Sequence, residues 1–122
     1  MAKILVIDDD IAINELIKIN LELAYYKVLS ALDGNKGYAL AKQETPDLII
    51  LDVMMPKING YKISRLLKYD NKYKDIPIIM VTARSQLEDK AIGEETGVNE
   101  YITKPFELDT IVKKVEEYLK ED

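Results

Sequence analysis

The chain has no cysteine and no histidine. Without thiols it has neither a disulfide framework nor thiol chemistry, and a cytoplasmic setting is the expectation. Without imidazole it has no zinc site of the usual kind, no Ser-His catalytic pair and no phosphohistidine of its own. Arginine occurs only as Arg65 and Arg84, and 22 carboxylates outnumber 17 Lys and Arg for a net charge of -5. That balance argues against direct nucleic acid contact by this domain, because phosphate contacts need clustered cations. The apolar runs are strand-length and broken by charge, so no membrane span and no signal peptide are expected. Nor is there a Gly/Ser-rich or Pro-rich stretch long enough to be a linker. What remains is 122 residues, 48% hydrophobic, which suits a single domain over 1–122 with a real core.

Short apolar runs alternate with helical periodicity along the chain. Lys3 to Ile7 reads as a first strand and ends in Asp8-Asp9-Asp10. Asp10 is a candidate N-cap for a helix whose stripe is Ile13, Leu16, Ile17, Leu21 and Ala24. Tyr26 to Ala31 is a less apolar strand and is expected at an edge; Asp33-Gly34 then opens a helix carrying Gly37, Leu40 and Ala41 and ending before Thr45-Pro46. Asp47 to Asp52, with Leu48-Ile49-Ile50-Leu51 at its centre, reads as a strand buried on both faces. Pro56 stops it, and Tyr61, Ile63, Leu66 and Leu67 mark a third helix that gives way to a polar segment over Tyr69 to Asp75. Pro77 to Val81 is a fourth strand closed by Thr82-Ala83, and a sparsely anchored fourth helix is expected over Gln86 to Thr96, stopped by Gly97. Asn99 to Thr103 makes a fifth strand, and Leu108, Ile111, Val112, Val115 and Leu119 stripe the last helix. Five alternations imply an α/β fold: a doubly wound five-stranded parallel sheet of flavodoxin-like order 2-1-3-4-5, with five helices on both faces.

In that strand order the carboxyl ends bring Asp8 and Asp9, Asp52, Thr82 and Lys104 to one edge, where ligands of open parallel sheets sit. Each has a bland reading: an acidic helix start, a turn residue, a cap, a surface lysine. Together they describe one chemistry. Three carboxylates suit one Mg²⁺, which takes oxygen ligands and keeps open positions for a phosphoryl oxygen. Lys104 offers a point charge and Thr82 a hydroxyl, while Asp52 is placed to be an in-line nucleophile forming an acyl phosphate.

These residues carry a family resemblance. Ile7-Asp8-Asp9-Asp10, Leu51-Asp52-Val53-Met54-Met55-Pro56 with Gly60, Val81-Thr82-Ala83 and Tyr101-Ile102-Thr103-Lys104-Pro105-Phe106 closely resemble the motifs of response-regulator receiver domains, across the whole chain. The resemblance implies two-component signalling, in which a sensor histidine kinase or phosphotransfer protein donates phosphoryl from its histidine to Asp52. Such a receiver is not an enzyme in the ordinary sense; it catalyses its own phosphorylation and a slow autodephosphorylation. The resemblance further implies Asp9 and Asp52 as direct Mg²⁺ ligands, Asp8 as a ligand largely through water, and a backbone carbonyl from Met54. Thr82 and Lys104 become the phosphoryl-sensing pair, Tyr101 an aromatic switch, and the Lys104–Pro105 peptide cis. Met54 and Arg84 flank the approach of attacking water and are expected to tune the phosphoryl lifetime. An apolar Met54 cannot orient that water, which implies slow decay. The expected fourth helix, fifth strand and last helix resemble those of receivers that form phosphorylation-dependent homodimers, with Glu100 and Lys114 as a cross-dimer pair.

Three other readings fit less well. A haloacid-dehalogenase-type phosphatase shares the Asp spacing, but Ile11-Ala12 stands where it needs Gly-Thr. A flavodoxin-type carrier needs a phosphate-cradling loop where this chain has an acidic triplet. A receiver that only binds partners is set against a full complement of acceptor-site residues. The chain closes at Glu121-Asp122 soon after the last helix, which leaves open a stand-alone regulator or a piece of a longer one.

Overall fold

A computed structural model describes residues 1–83 and 97–120. Five strands, β1 (Lys3–Ile7), β2 (Lys27–Ala31), β3 (Leu48–Asp52), β4 (Ile78–Ala83) and β5 (Glu100–Lys104), form one sheet in the order β2-β1-β3-β4-β5. All four neighbouring pairs are parallel. The described helices are α1 (Ile11–Leu23), α2 (Gly34–Glu44), α3 (Gly60–Lys68) and α4 (Leu108–Leu119). Sequence and structure agree on the strand order and on β2 as an edge; strand ends differ from the expected ones by one or two residues. The helix expected over Gln86 to Thr96 lies outside the described residues, so four of the five expected helices are described.

The side-chain period of two divides the apolar runs between two cores. Ile4, Val6, Leu48, Ile50, Ile79, Val81 and Ile102 face α1 and α4, meeting Ile17, Leu21, Ile111 and Val115. Leu5, Ile7, Ile49, Leu51, Ile78 and Met80 face α2 and α3, meeting Ala41, Ile63 and Leu67. Each fully buried Ile or Leu contributes about 1.5–3 kcal/mol, and β3 is buried along its whole length. The chain segment read as merely polar after α3 also supplies core: Tyr73 and Ile76 are buried, and the Tyr73 hydroxyl donates to the Lys42 carbonyl at 3.0 Å.

Helix starts follow the sequence. Asp10 accepts from the Ile13 N–H, Asp33 from Lys36 and Asn59 from Lys62, at 3.1, 2.8 and 3.0 Å. The buried stripe of α1 differs from the expected one. It is Asn14, Ile17 and Leu21, while Leu16 is 49% exposed. The reason is polar: turning Asn14 inward lets its amide reach two backbone carbonyls at the end of β1 and β2, and that rotation carries Leu16 out. Leu66 of α3 is likewise more exposed than its spacing suggested.

Candidate functional site

The strands' period places Asp8, Asp52 and Lys104 on the same side of the sheet, each continuing the alternation of Val6, Ile50 and Ile102. Asp8 and Asp52 are nearly inaccessible, and Asp9 is exposed at the rim. One carboxylate oxygen from each of Asp8, Asp9 and Asp52 lies within 4.8 Å of the others. Lys104 Nζ stands 3.5 Å from Asp52 Oδ1 and 3.7 Å from Asp8 Oδ2, bridging the two buried acids. The Lys104–Pro105 peptide bond is cis.

Charge is out of balance in this cluster. One ammonium faces three carboxylates, and burial disfavours their ionised forms. Burial pushes the Asp52 carboxyl up to about 6, with the nearby Asp8 charge adding to it, against the pull of Lys104 and the Met54 N–H. Asp8 is also raised, again chiefly by burial, while the Asp10 N–H and Lys104 oppose. The N–H of Met54 donates to Asp52 Oδ1 at 3.3 Å and that of Asp10 to Asp8 Oδ1 at 2.9 Å, so backbone amides fix both carboxylates. Gly60 presses on the same strand end: a Cβ there would lie 2.5 Å from the Asp52 carbonyl oxygen. Only glycine permits that approach.

The donor set fits a hard divalent cation. All three ligands are carboxylates, no imidazole or thiolate exists in the chain, and the excess negative charge is the kind a cation relieves.

Thr82 and Tyr101 sit differently from the acids. Thr82 follows Val81, the register partner of Asp52, and is fully buried on the opposite side of β4. Tyr101 pairs in register with Met80 and packs against the core between sheet, α2 and α3. Thr82 and Tyr101 thus share one face, and Asp8, Asp52 and Lys104 the other. Met54 is 62% exposed at the mouth of the site. Arg84 lies outside the described residues.

Glu100 and Lys114, the pair expected across a dimer, lie 3.6 Å apart within one chain. They do so because β5 and α4 pack side by side, and the Tyr118 hydroxyl completes the arrangement with 2.9 and 3.0 Å contacts to the Asn99 carbonyl and Glu100 carboxylate.

Asn14 is a site residue that the sequence pattern did not reveal. Buried beneath the acidic turn, its Nδ2 donates to the Asp8 carbonyl at 3.0 Å and the Ala31 carbonyl at 2.9 Å. Together with the Asp8 N–H to Ala31 O bond of 3.2 Å, it ties the turn that carries Asp8 and Asp9 to the end of β2. The available signal was an Asn three residues ahead of Ile17 and seven ahead of Leu21, on the inward stripe.

Comparison with known proteins agrees with this geometry. Residues 4–116 match the family described as response regulator receiver domain. The DNA-binding dual master transcriptional regulator RpaA of Synechocystis is 47% identical over 98% of this chain, which spans 50% of RpaA's length. PilH of Pseudomonas aeruginosa is 39% identical over 94% of this chain and 95% of its own. The chain thus spans about half of RpaA and nearly all of PilH. Among solved structures, the chemotaxis response regulator CheY4 of Vibrio cholerae superposes with a TM-score of 0.91 at 34% identity, over 98% of this chain and 99% of that one.

Proposed function

Because this chain belongs to the response regulator receiver domain family, we propose that Asp52 is its phosphoryl acceptor and that a sensor histidine kinase or phosphotransfer protein is its donor. The observation that carries the reading is the buried carboxylate of Asp52, held at the carboxyl end of the central strand within 4.8 Å of two more carboxylates and 3.5 Å from Lys104. Phosphoryl transfer asks mainly for positioning and charge neutralisation. The ionised Asp52 oxygen attacks phosphorus in line, a P–O bond forms as the P–N bond to the donor imidazole breaks, and the imidazole leaves with the bond's electron pair. Two backbone amides and Lys104 keep the Asp52 and Asp8 carboxylates in place before the donor arrives. Asp8, Asp9 and Asp52, with the Met54 carbonyl, are the ligands we assign to Mg²⁺, which supplies the positive charge that lets three acids and a phosphoryl group coexist.

Once Asp52 is modified, Lys104 and the Thr82 hydroxyl are the groups we assign to hold the new oxygens. Thr82 and Tyr101 share a face, so a shift of Thr82 across β4 is felt by the Tyr101 ring in the adjoining strand. The switch is a population shift between arrangements of the β5 and α4 face. A phosphorylation-dependent homodimer on that face requires the internal Glu100–Lys114 pair to be exchanged or kept in competition. Met54, with Arg84, is our candidate for setting the phosphoryl lifetime; Met54→Asn should speed decay, and an unchanged rate removes Met54 from that role.

The test is the intact mass of the protein after incubation with acetyl phosphate and Mg²⁺, beside Asp52→Asn. Gain of one phosphoryl group, absent from the variant and absent without Mg²⁺, is the expected result. No gain from acetyl phosphate or from a phosphorylated phosphotransfer protein would overturn the assignment.

A further inference from the structure

The charge of the chain is strongly asymmetric. Residues 53–74 hold six cations and one carboxylate, a net +5, while the other hundred residues hold eleven cations and twenty-one carboxylates, a net -10. The fold draws much of that positive charge into a row. Helix α3 buries Tyr61, Ile63, Ser64 and Leu67, which leaves Lys62, Arg65, Leu66 and Tyr69 on its outer face. Exposed Lys57 precedes the row, in the loop that leaves the strand of Asp52, and exposed Lys72 follows it.

Ion pairs do not account for this row, and among the described residues only Lys72 of the row has an aromatic partner, its Nζ 5.4 Å from the centre of the Tyr73 ring. Among the described residues, the ion pairs engage Lys3, Lys104, Lys113 and Lys114, and none engages Lys57, Lys62, Arg65 or Lys72. The helix dipole explains cations in the last turn, where Arg65 and Lys68 lie. It disfavours Lys57 and Lys62 at the other end, where the positive pole of the helix lies. Lys68 is not part of the row, because its ammonium is turned inward onto the Lys74 and Ile76 carbonyls at 2.9 and 2.8 Å. Two apolar side chains break the line of charge: Tyr69, 79% exposed, and Leu66, 38% exposed. Arginine and tyrosine side by side in a charged frame have the composition of a protein-binding hot spot.

We propose that the outer face of α3 binds an acidic amphipathic helix of a partner protein. Its carboxylates meet Lys57, Lys62, Arg65 and Lys72, and an apolar side chain packs between Leu66 and Tyr69. Charge complementarity selects the partner's sign, and the dimensions select its class. The nine residues of α3 span about 14 Å, the length of a few helical turns of a peptide. A nucleic acid duplex is disfavoured, because it extends beyond the row onto a body of net charge -10. A bilayer is disfavoured too, since two apolar side chains give little surface to insert.

The experiment uses the whole ¹⁵N-labelled protein, titrated with a synthetic amphipathic peptide about four helical turns long, with glutamates flanking a stripe of leucine and tryptophan. Parallel titrations use the same peptide with lysine for glutamate, a short DNA duplex, and phosphatidylglycerol vesicles. The expected result is amide shifts confined to residues 57–72, with affinity falling about tenfold in Lys62→Glu/Arg65→Glu and also falling in Tyr69→Ala. All three positions are exposed, so the folded state of each variant can be verified from its spectrum before titration. Shifts elsewhere, an affinity indifferent to the double reversal, equal binding of the lysine peptide, no binding, or tighter binding of the duplex or the vesicles would each overturn the proposal.

Discussion

Replacing Asp52 by Asn should stabilise the metal-free protein, and the size of the effect follows from the site. The carboxyl of Asp52 is carried from 3.8 to about 6, first by burial and then by the Asp8 charge, despite Lys104. Its side chain is only 5% exposed, so solvent screening does little to reduce the consequence. Between pH 3.8 and about 6 the folded state holds a proton that the unfolded chain has released, so stability falls as pH rises through that window. A shift of about two units at 1.36 kcal/mol each amounts to about 3 kcal/mol lost by neutral pH. Asn has nearly the shape of the protonated acid and never ionises. The variant should therefore match the native protein near pH 4 and exceed it by about 3 kcal/mol at pH 7 and above, the gap opening across the same window. Urea unfolding followed by circular dichroism in EDTA, from about pH 4 to pH 8, measures it. Millimolar Mg²⁺ should narrow the gap at neutral pH, because it binds and stabilises the native acid cluster more than the variant's. A gap that is constant with pH, or absent throughout, refutes the picture of Asp52 as a buried, electrostatically frustrated carboxylate.

Other substitutions probe the parts that hold this cluster together. Gly60→Ala places a methyl 2.5 Å from the Asp52 carbonyl oxygen, and should cost about 1–3 kcal/mol and slow phosphoryl uptake, read as a lower midpoint in urea and by intact mass. Asn14→Ala removes the buried amide from the Asp8 and Ala31 carbonyls and leaves Ala31 with the Asp8 N–H alone. It should cost about 1–3 kcal/mol and weaken Mg²⁺ binding measured by calorimetry; unchanged metal affinity would show that the turn holds itself. Lys104→Met removes the one cation between Asp8 and Asp52, so metal-free stability should fall at neutral pH and recover as the acids protonate. Tyr25 closes α1 with φ at +70°, so Tyr25→Gly should stabilise by up to about 1 kcal/mol with phosphorylation unaffected. An unchanged midpoint there would mean that the exposed ring makes up for the strained backbone.

The sequence by itself determined the alternation of strands and helices, the parallel sheet and its order, and the edge where the acids collect. It could do so because these features follow from local patterns: apolar runs of strand length, capping residues three positions ahead of the amides they accept from, and Pro56 ending β3. The meeting of Asp8, Asp9, Asp52 and Lys104 was legible for the same reason, since each lies at or just beyond a strand end and the strand order brings those ends together; Thr82 also lies at a strand end, but on the other side of the sheet. Tyr101 was singled out only through family resemblance, because one tyrosine in a strand carries no local mark.

Other features depended on what meets what across the fold. Whether Asn14 or Leu16 faces inward was settled by two carbonyls from β1 and β2, groups far apart in sequence that only folding brings within reach of one amide. The split of the site between two sides of the sheet came from strand register, and the internal closure of Glu100 on Lys114 from the packing of β5 against α4. The raised pKa of Asp52 is likewise a tertiary property. Its sequence neighbours are apolar, and the charge that disturbs it arrives from Asp8, forty-four positions earlier, in a place that burial has stripped of water.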